Sequence, residues 1–145
     1  MKILFLDVDG VLNSYSNTNK DTHSPHGTFG VEEKHLVHLR RILDTCPEVQ
    51  IVLCSTWRKY RDMVYYLWNK LGVKYKERWA GNTPILNTRA DEIKFWVNKQ
   101  TEEVTHWVVL DDQIFPDEIE GHIVNTDCLI GLTAEIADQV IEKFK

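Results

Sequence analysis

The first residues in this chain that could do chemistry are two aspartates one residue apart, Asp7 and Asp9, followed by Gly10. They come straight after the apolar run Ile3, Leu4, Phe5 and Leu6, which reads as a strand buried on both faces. In extended chain residues i and i+2 point the same way, so both carboxylates leave the strand's end together. Two carboxylates about 4 Å apart repel by roughly 4 kcal/mol at an effective dielectric of 20. A shared proton, a basic neighbour or a divalent cation must offset that. Hard oxygen ligands without His or Cys suit magnesium. Gly10 lets the chain turn sharply and lets a ligand approach the backbone. A calcium loop of the EF-hand type also begins Asp-x-Asp, but Val11 and Thr18 stand where it needs oxygen ligands.

Other polar residues gather at the ends of apolar runs. The run 49–54 finishes in Ser55-Thr56-Trp57-Arg58, and the run 106–110 finishes in Asp111 and Asp112. Helical spacing lies between them. Leu36, Leu39 and Leu43 mark an amphipathic helix over about 31–45, and Met63, Val64, Leu67 and Leu71 mark another over 59–71, stopped by Gly72. Thr88 reads as an N-cap for a helix to about residue 99 that turns Ile93, Trp96 and Val97 inward. Arg89 sits in its first turn, where a cation opposes the helix dipole, and a local rule broken in this way is expected at functional sites. A last helix follows a cap at Thr133, with Ile136, Ala137, Val140, Ile141 and Phe144 inward. Residues 73–75 read as a short edge strand, 76–87 as irregular and 121–124 as a short strand.

Strands alternating with helices predict a parallel sheet with right-handed crossovers, and ligands then bind beyond the carboxyl ends of the strands. Asp7/Asp9, Ser55 and Asp111/Asp112 should converge there. Residues 14–30 are polar and without period, and are expected to form a flap over that site. His23 and His26 within it read as solvated residues rather than ligands.

The chain's 145 residues are expected to form one domain, 1–145. A net charge of −5 argues against a broad basic footprint for duplex DNA or an anionic membrane. Cys46, Cys54 and Cys128 read as reduced core thiols, since they are odd in number and not spaced for zinc. A strand beginning at residue 3 leaves no room for a signal peptide, and no apolar run approaches membrane-spanning length. The expectation is a cytoplasmic protein with no membrane contact and no obligate protein partner.

The order of these motifs resembles the haloacid dehalogenase-like (HAD) phosphohydrolases. In that family one strand ends in Asp-x-Asp-Gly, a second in Ser or Thr, a basic residue opens a later helix, and a further strand ends in one or two Asp. The short chain, the run Asp9-Gly10-Val11-Leu12-Asn13, the Ser-Thr-Trp-Arg segment and Gly131-Leu132-Thr133 are similar to the capless HAD domains of "Swiss army knife" RNA-repair proteins. The resemblance implies an α/β, three-layer Rossmann-like sheet of roughly five parallel strands, helices on both faces and no cap domain. It also implies a magnesium-dependent phosphatase. Asp7 would attack phosphorus, and Asp9 would act as acid and then base. Mg2+ would be held by an Asp7 oxygen, the Asp9 main-chain carbonyl and Asp111, with Asp112 less directly. Ser55 and Arg89 would bind the non-bridging oxygens. The family usually has Lys where Arg89 stands; Lys94 is the alternative, although it lies about 100° around the helix from Ile93.

A carboxylate at position 9 implies phosphate release rather than dehalogenation. An uncapped site favours a large substrate, such as a nucleic-acid end or a phosphoprotein, and the resemblance to the RNA-repair subgroup implies nucleotides or phosphorylated nucleic-acid ends. Trp57 and Arg58 at the rim, with Tyr15, could stack a base and contact a backbone phosphate; Trp57 could equally be a core residue. Small metabolites or phosphoproteins are the alternative substrates. A binding module that keeps the fold without catalysis is the third reading.

Overall fold

The apolar run at the N-terminus is the middle of the sheet. The computed structural model describes residues 1–17, 25, 30–115 and 117–145. In it β1 (Lys2–Leu6) lies between β2 (Val49–Leu53) and β4 (His106–Asp111), with β3 (Trp79–Asn82) and β5 (Ile123–Asn125) at the edges. The order is β3-β2-β1-β4-β5, and every pair is parallel. Ile3, Leu4, Phe5 and Leu6 are each no more than 1% exposed, and burying a side chain of this size contributes about 1.5–3 kcal/mol.

The period of two along the strands divides the core. Leu4, Leu6, Ile51 and Leu53 pack in the same cluster as the apolar faces of α1 (Glu33–Thr45), α2 (Arg61–Leu71) and α4 (Ala134–Lys143). Ile3, Phe5, Val52 and Val109 pack on the other side with Ile93, Trp96 and Val97 of α3 (Arg89–Asn98). Helices therefore cover both faces, as expected of this α/β class, and among the described residues no cap domain is inserted between the strands. No helix among them is long and apolar enough to cross a membrane.

One element differs from expectation. Residues 73–75 belong to a 3₁₀ turn, Val73–Arg78, and the edge strand is β3, inside the stretch that reads as irregular. Its sequence, Trp-Ala-Gly-Asn, has no strand pattern because its place is set by main-chain pairing to β2, with a register shift between Ile51 and Val52. Arg78 anchors it by donating to the carbonyls of Leu43, Cys46 and Val49, while Trp79 packs against Trp68 with ring centres 5.8 Å apart.

The chain runs outward from β1 to β2 and β3, then returns to place β4 on the other side of β1. That reversal puts the switch point of the sheet between β1 and β4. Register does the rest. Leu6 pairs with Leu53 on one side and Leu110 on the other, so the next residues, Asp7 and Asp111, emerge side by side, with Cys54 and then Ser55 on the far flank.

Candidate active site

Asp7 sits at the end of β1, 5% exposed, its N–H donating to the Leu110 carbonyl at 3.1 Å. Asp111 is fully buried. Side-chain oxygens of Asp7, Asp111 and Asp112 all lie within 4.8 Å of one another. Burial and the neighbouring Asp111 push the Asp7 carboxyl up to about 8, against the opposing pull of Arg89. Burial, and then Asp111, also raise Asp112. Close acids in a poorly solvated place favour the protonated form until a cation arrives.

One cation already stands there. Arg89 is the first residue of α3, whose N-terminus is capped by the Thr88 hydroxyl accepting the Asp91 N–H at 3.1 Å. Its Nη1 donates to Asp111 Oδ2 at 2.8 Å and lies 3.4 Å from Asp7 Oδ2. Burial alone would lower the guanidinium's pKa, but Asp7 and Asp111 hold it above the ordinary arginine value. The other Asp111 oxygen accepts the Gln113 N–H at 2.9 Å, and its carbonyl accepts from Asn125 and Thr126.

Asp9 is not in the cluster. Its Oδ1 accepts from Asn13 Nδ2 at 2.9 Å, and its Oδ2 accepts from the Trp57 indole N–H at 3.3 Å. Gly10 turns the chain just after Asp9 with φ +81°, and a Cβ there would come within 2.3 Å of Asp112 Oδ2. Only glycine permits both that backbone and that approach. Ser55 is buried at the end of β2, where its hydroxyl accepts the Trp57 N–H at 3.1 Å and keeps its own proton to give.

The model of the family described as "HAD domain in Swiss Army Knife RNA repair proteins" matches residues 3–137. This chain belongs to that family. Its fold is also that of the HAD domain of effector protein Lem4 from Legionella pneumophila, solved as an inactive mutant. The TM-score is 0.59 at 16% identity, over 99% of this chain and 94% of that one. No curated protein matches the chain. Membership carries a phosphatase-type function and, in general, the use of Mg2+.

The residues of this HAD domain fit such an ion. Three carboxylates and one guanidinium leave a formal charge of −2 when all are ionised, which a divalent cation would balance, and the donors are all hard oxygens. Arg89, the residue that opens α3, is the basic group that reaches these carboxylates. Lys94 instead pairs with Asp91 at 3.6 Å within α3, its side chain 37% exposed.

Two residues expected to serve substrate at the rim are engaged otherwise. Arg58 borders the cleft beside Arg89, but its side chain is 5% exposed and its donors go to the carbonyls of Cys54, Ser55, Thr83 and Pro84 and to Glu92 Oε2, the last at 2.8 Å. All five guanidinium N–H groups are engaged with protein, so the expected contact with a substrate phosphate is corrected. Trp57 is 2% exposed in the core, with only its N–H reaching the site. Tyr15 does stand at the mouth, 58% exposed, its phenol raised by burial and then by Asp112, Asp9 and Asp7. Most of the expected flap, including His23 and His26, lies outside the described residues. Its first residues are pinned beside the turn before α4: Tyr15 N–H donates to Cys128 O at 2.9 Å and Ser16 Oγ to Leu129 O at 2.6 Å.

Three contributors escape sequence reasoning. Asn13 carried a signal, as a polar residue following the apolar pair Val11-Leu12. Glu92, an acid in the first turn of α3, is the buried partner of Arg58 and also accepts the Leu86 N–H. Thr126 donates its hydroxyl to the Gly10 carbonyl at 2.7 Å, a pairing across 116 residues that no local pattern announces.

Proposed function

We propose that this HAD domain is a magnesium-dependent phosphomonoesterase working through an aspartyl-phosphate on Asp7. The observation that carries the reading is the division of labour between two acids two residues apart: Asp7 lies among carboxylates and Arg89, while Asp9 is withheld from them. An Asp7 oxygen attacks phosphorus as the bond to the leaving oxygen breaks, and Asp9 gives that oxygen its proton. Asp9 then takes a proton from water, which attacks phosphorus and releases phosphate from Asp7. Arg89 and the Ser55 hydroxyl hold the non-bridging oxygens through both steps. Asp7, Asp111, Asp112 and the Asp9 carbonyl would hold the metal, which when bound supplies charge neutralisation between Asp7 and the incoming phosphate.

The substrate we propose is a nucleotide or a phosphorylated nucleic-acid end, in keeping with the family and with an uncapped site. A cleft of about 350 Å³ beside Arg89, lined also by Thr56, Lys59, Asn87 and Gln113, has room for part of a leaving group. A phosphoprotein is the second reading, favoured by Ile85 and Leu86 standing 62% and 44% exposed on the same cleft. A cytoplasmic setting fits the three free cysteines.

The deciding experiment is phosphate release from an aryl phosphate with and without magnesium, for the wild type and Asp7→Asn. Metal-dependent release that disappears in a folded Asp7→Asn protein is expected. Release that survives the substitution, or none at all from folded, magnesium-loaded wild type on aryl, nucleotide and phosphopeptide esters, refutes the reading. Relative rates on 3′- and 5′-phosphorylated oligonucleotides, mononucleotides and phosphopeptides then identify the substrate class.

A further inference from the structure

Asp9 presents a problem of aim. It comes two residues after Asp7, and a cation held by Asp7, Asp111 and Asp112 would attract its carboxylate too. A carboxylate drawn onto the metal is no longer free to carry a proton to a leaving group. In the structure it is held away by two N–H donors, one on each of its oxygens.

We infer that Asn13 and Trp57 are positioning residues that fix the Asp9 carboxylate as the acid/base; the inference rests on the phosphatase reading above. Neither donor has freedom to move. The Asn13 amide is oriented from both ends: its Oδ1 accepts the Gly10 N–H at 2.9 Å, so Nδ2 must face Asp9, and the second Nδ2 proton goes to the Gly30 carbonyl at 2.8 Å. Asn13 is only 3% exposed. Trp57 is buried in the α1/α2 layer against Tyr66, with ring centres 6.1 Å apart, and its main-chain N–H is tied to Ser55 Oγ. Its indole N–H is therefore delivered by a rigid support, and the residue that binds phosphate through its hydroxyl also seats the residue that aims the acid. An apolar side chain of similar size would fill the core equally well; the N–H is the part that packing does not require.

The test compares esters whose leaving groups do and do not need a proton. Trp57→Phe keeps a buried ring and removes the donor. Asn13→Asp keeps the acceptor for Gly10 and replaces the amino group facing Asp9 with an oxygen. For an alkyl phosphate, kcat/KM in either variant should fall about 10–100-fold, a share of the ~10²–10⁴-fold that a positioned acid supplies. For p-nitrophenyl phosphate, whose phenolate departs without a proton, kcat/KM should fall less than about threefold, while kcat and KM drop together as base-assisted hydrolysis of the aspartyl-phosphate slows. A burst of nitrophenol should accompany that drop. Equal losses on both esters, or no loss on either, in a variant shown folded by circular dichroism overturn the inference. If Trp57→Phe does not fold, Asn13→Asp decides by the same comparison. A wild type silent on every ester overturns the phosphatase reading itself, and the positioning role with it.

Discussion

Replacing Arg89 tests the electrostatic account of the site most directly. Its guanidinium is 2.8 Å from a fully buried Asp111 oxygen and 3.4 Å from one of Asp7. At an effective dielectric of 20 a unit pair near 3 Å is worth roughly 5 kcal/mol before desolvation. Truncating one member of such a buried set costs about 3–5 kcal/mol, because it strands the opposite charge. In chelator at a pH above 8, where Asp7 no longer keeps a proton, Arg89→Met should lose that amount, on the order of 10 °C in Tm for a domain of this size. Below that pH a proton shared by the acids makes the loss smaller, and magnesium should recover part of it. Turnover should fall by about 10²–10³, the usual effect of removing one donor aimed at charge in the transition state. Arg89→Lys should restore part of it. Lys94→Ala should change neither property, since Lys94 makes a partly exposed pair within its helix. Differential scanning fluorimetry and phosphate release read both quantities. Turnover lost in Lys94→Ala and kept in Arg89→Met refutes the reasoning.

Arg58→Ala should destabilise by about 3–5 kcal/mol through the stranded Glu92 carboxylate and carbonyls; a raised KM for oligonucleotides with an unchanged denaturant midpoint would instead make Arg58 a substrate contact. Gly10→Ala places a methyl against Asp112 at a left-handed φ, so magnesium affinity measured by calorimetry should drop about 10–100-fold, as it does when the surroundings of a metal ligand are displaced. The raised Asp7 carboxyl has a sign that can be checked. Its folded pKa of about 8 exceeds the ordinary 3.8, so the folded chain binds the extra proton between those values, and metal-free stability is greatest below pH 4 from this group and is lost as pH rises toward 8. Denaturant midpoints in chelator should show that trend, and Asp7→Asn should weaken it, leaving the share carried by the raised Asp112 carboxyl. Magnesium needs the ionised carboxylate, so its affinity should rise with pH over the same window.

Much of this molecule is local in origin and was legible in the chain. The unbroken apolar run of β1, the helical spacing of Leu36, Leu39 and Leu43, the Thr88 and Thr133 caps and the Gly72 stop act through neighbours a few residues away, and they appear where the pattern puts them. The acids at the strand ends belong to the same class, because parallel register brings strand ends together whatever the side chains are. Patterning could not supply β3, whose Trp-Ala-Gly-Asn segment becomes a strand only because β2 offers it an unpaired edge.

The fates of Arg58 and Trp57 were decided by tertiary structure alone. Adjacent in the chain and outwardly suited to nucleic acid, they turn inward because Glu92, Thr83 and Pro84, 25 to 34 residues away, offer acceptors to Arg58, and because Asp9, 48 residues away, offers one to Trp57. Sequence spacing states which groups can do chemistry; whether a donor reaches solvent, substrate or a buried carboxylate depends on acceptors that only folding brings within 3 Å or so of it.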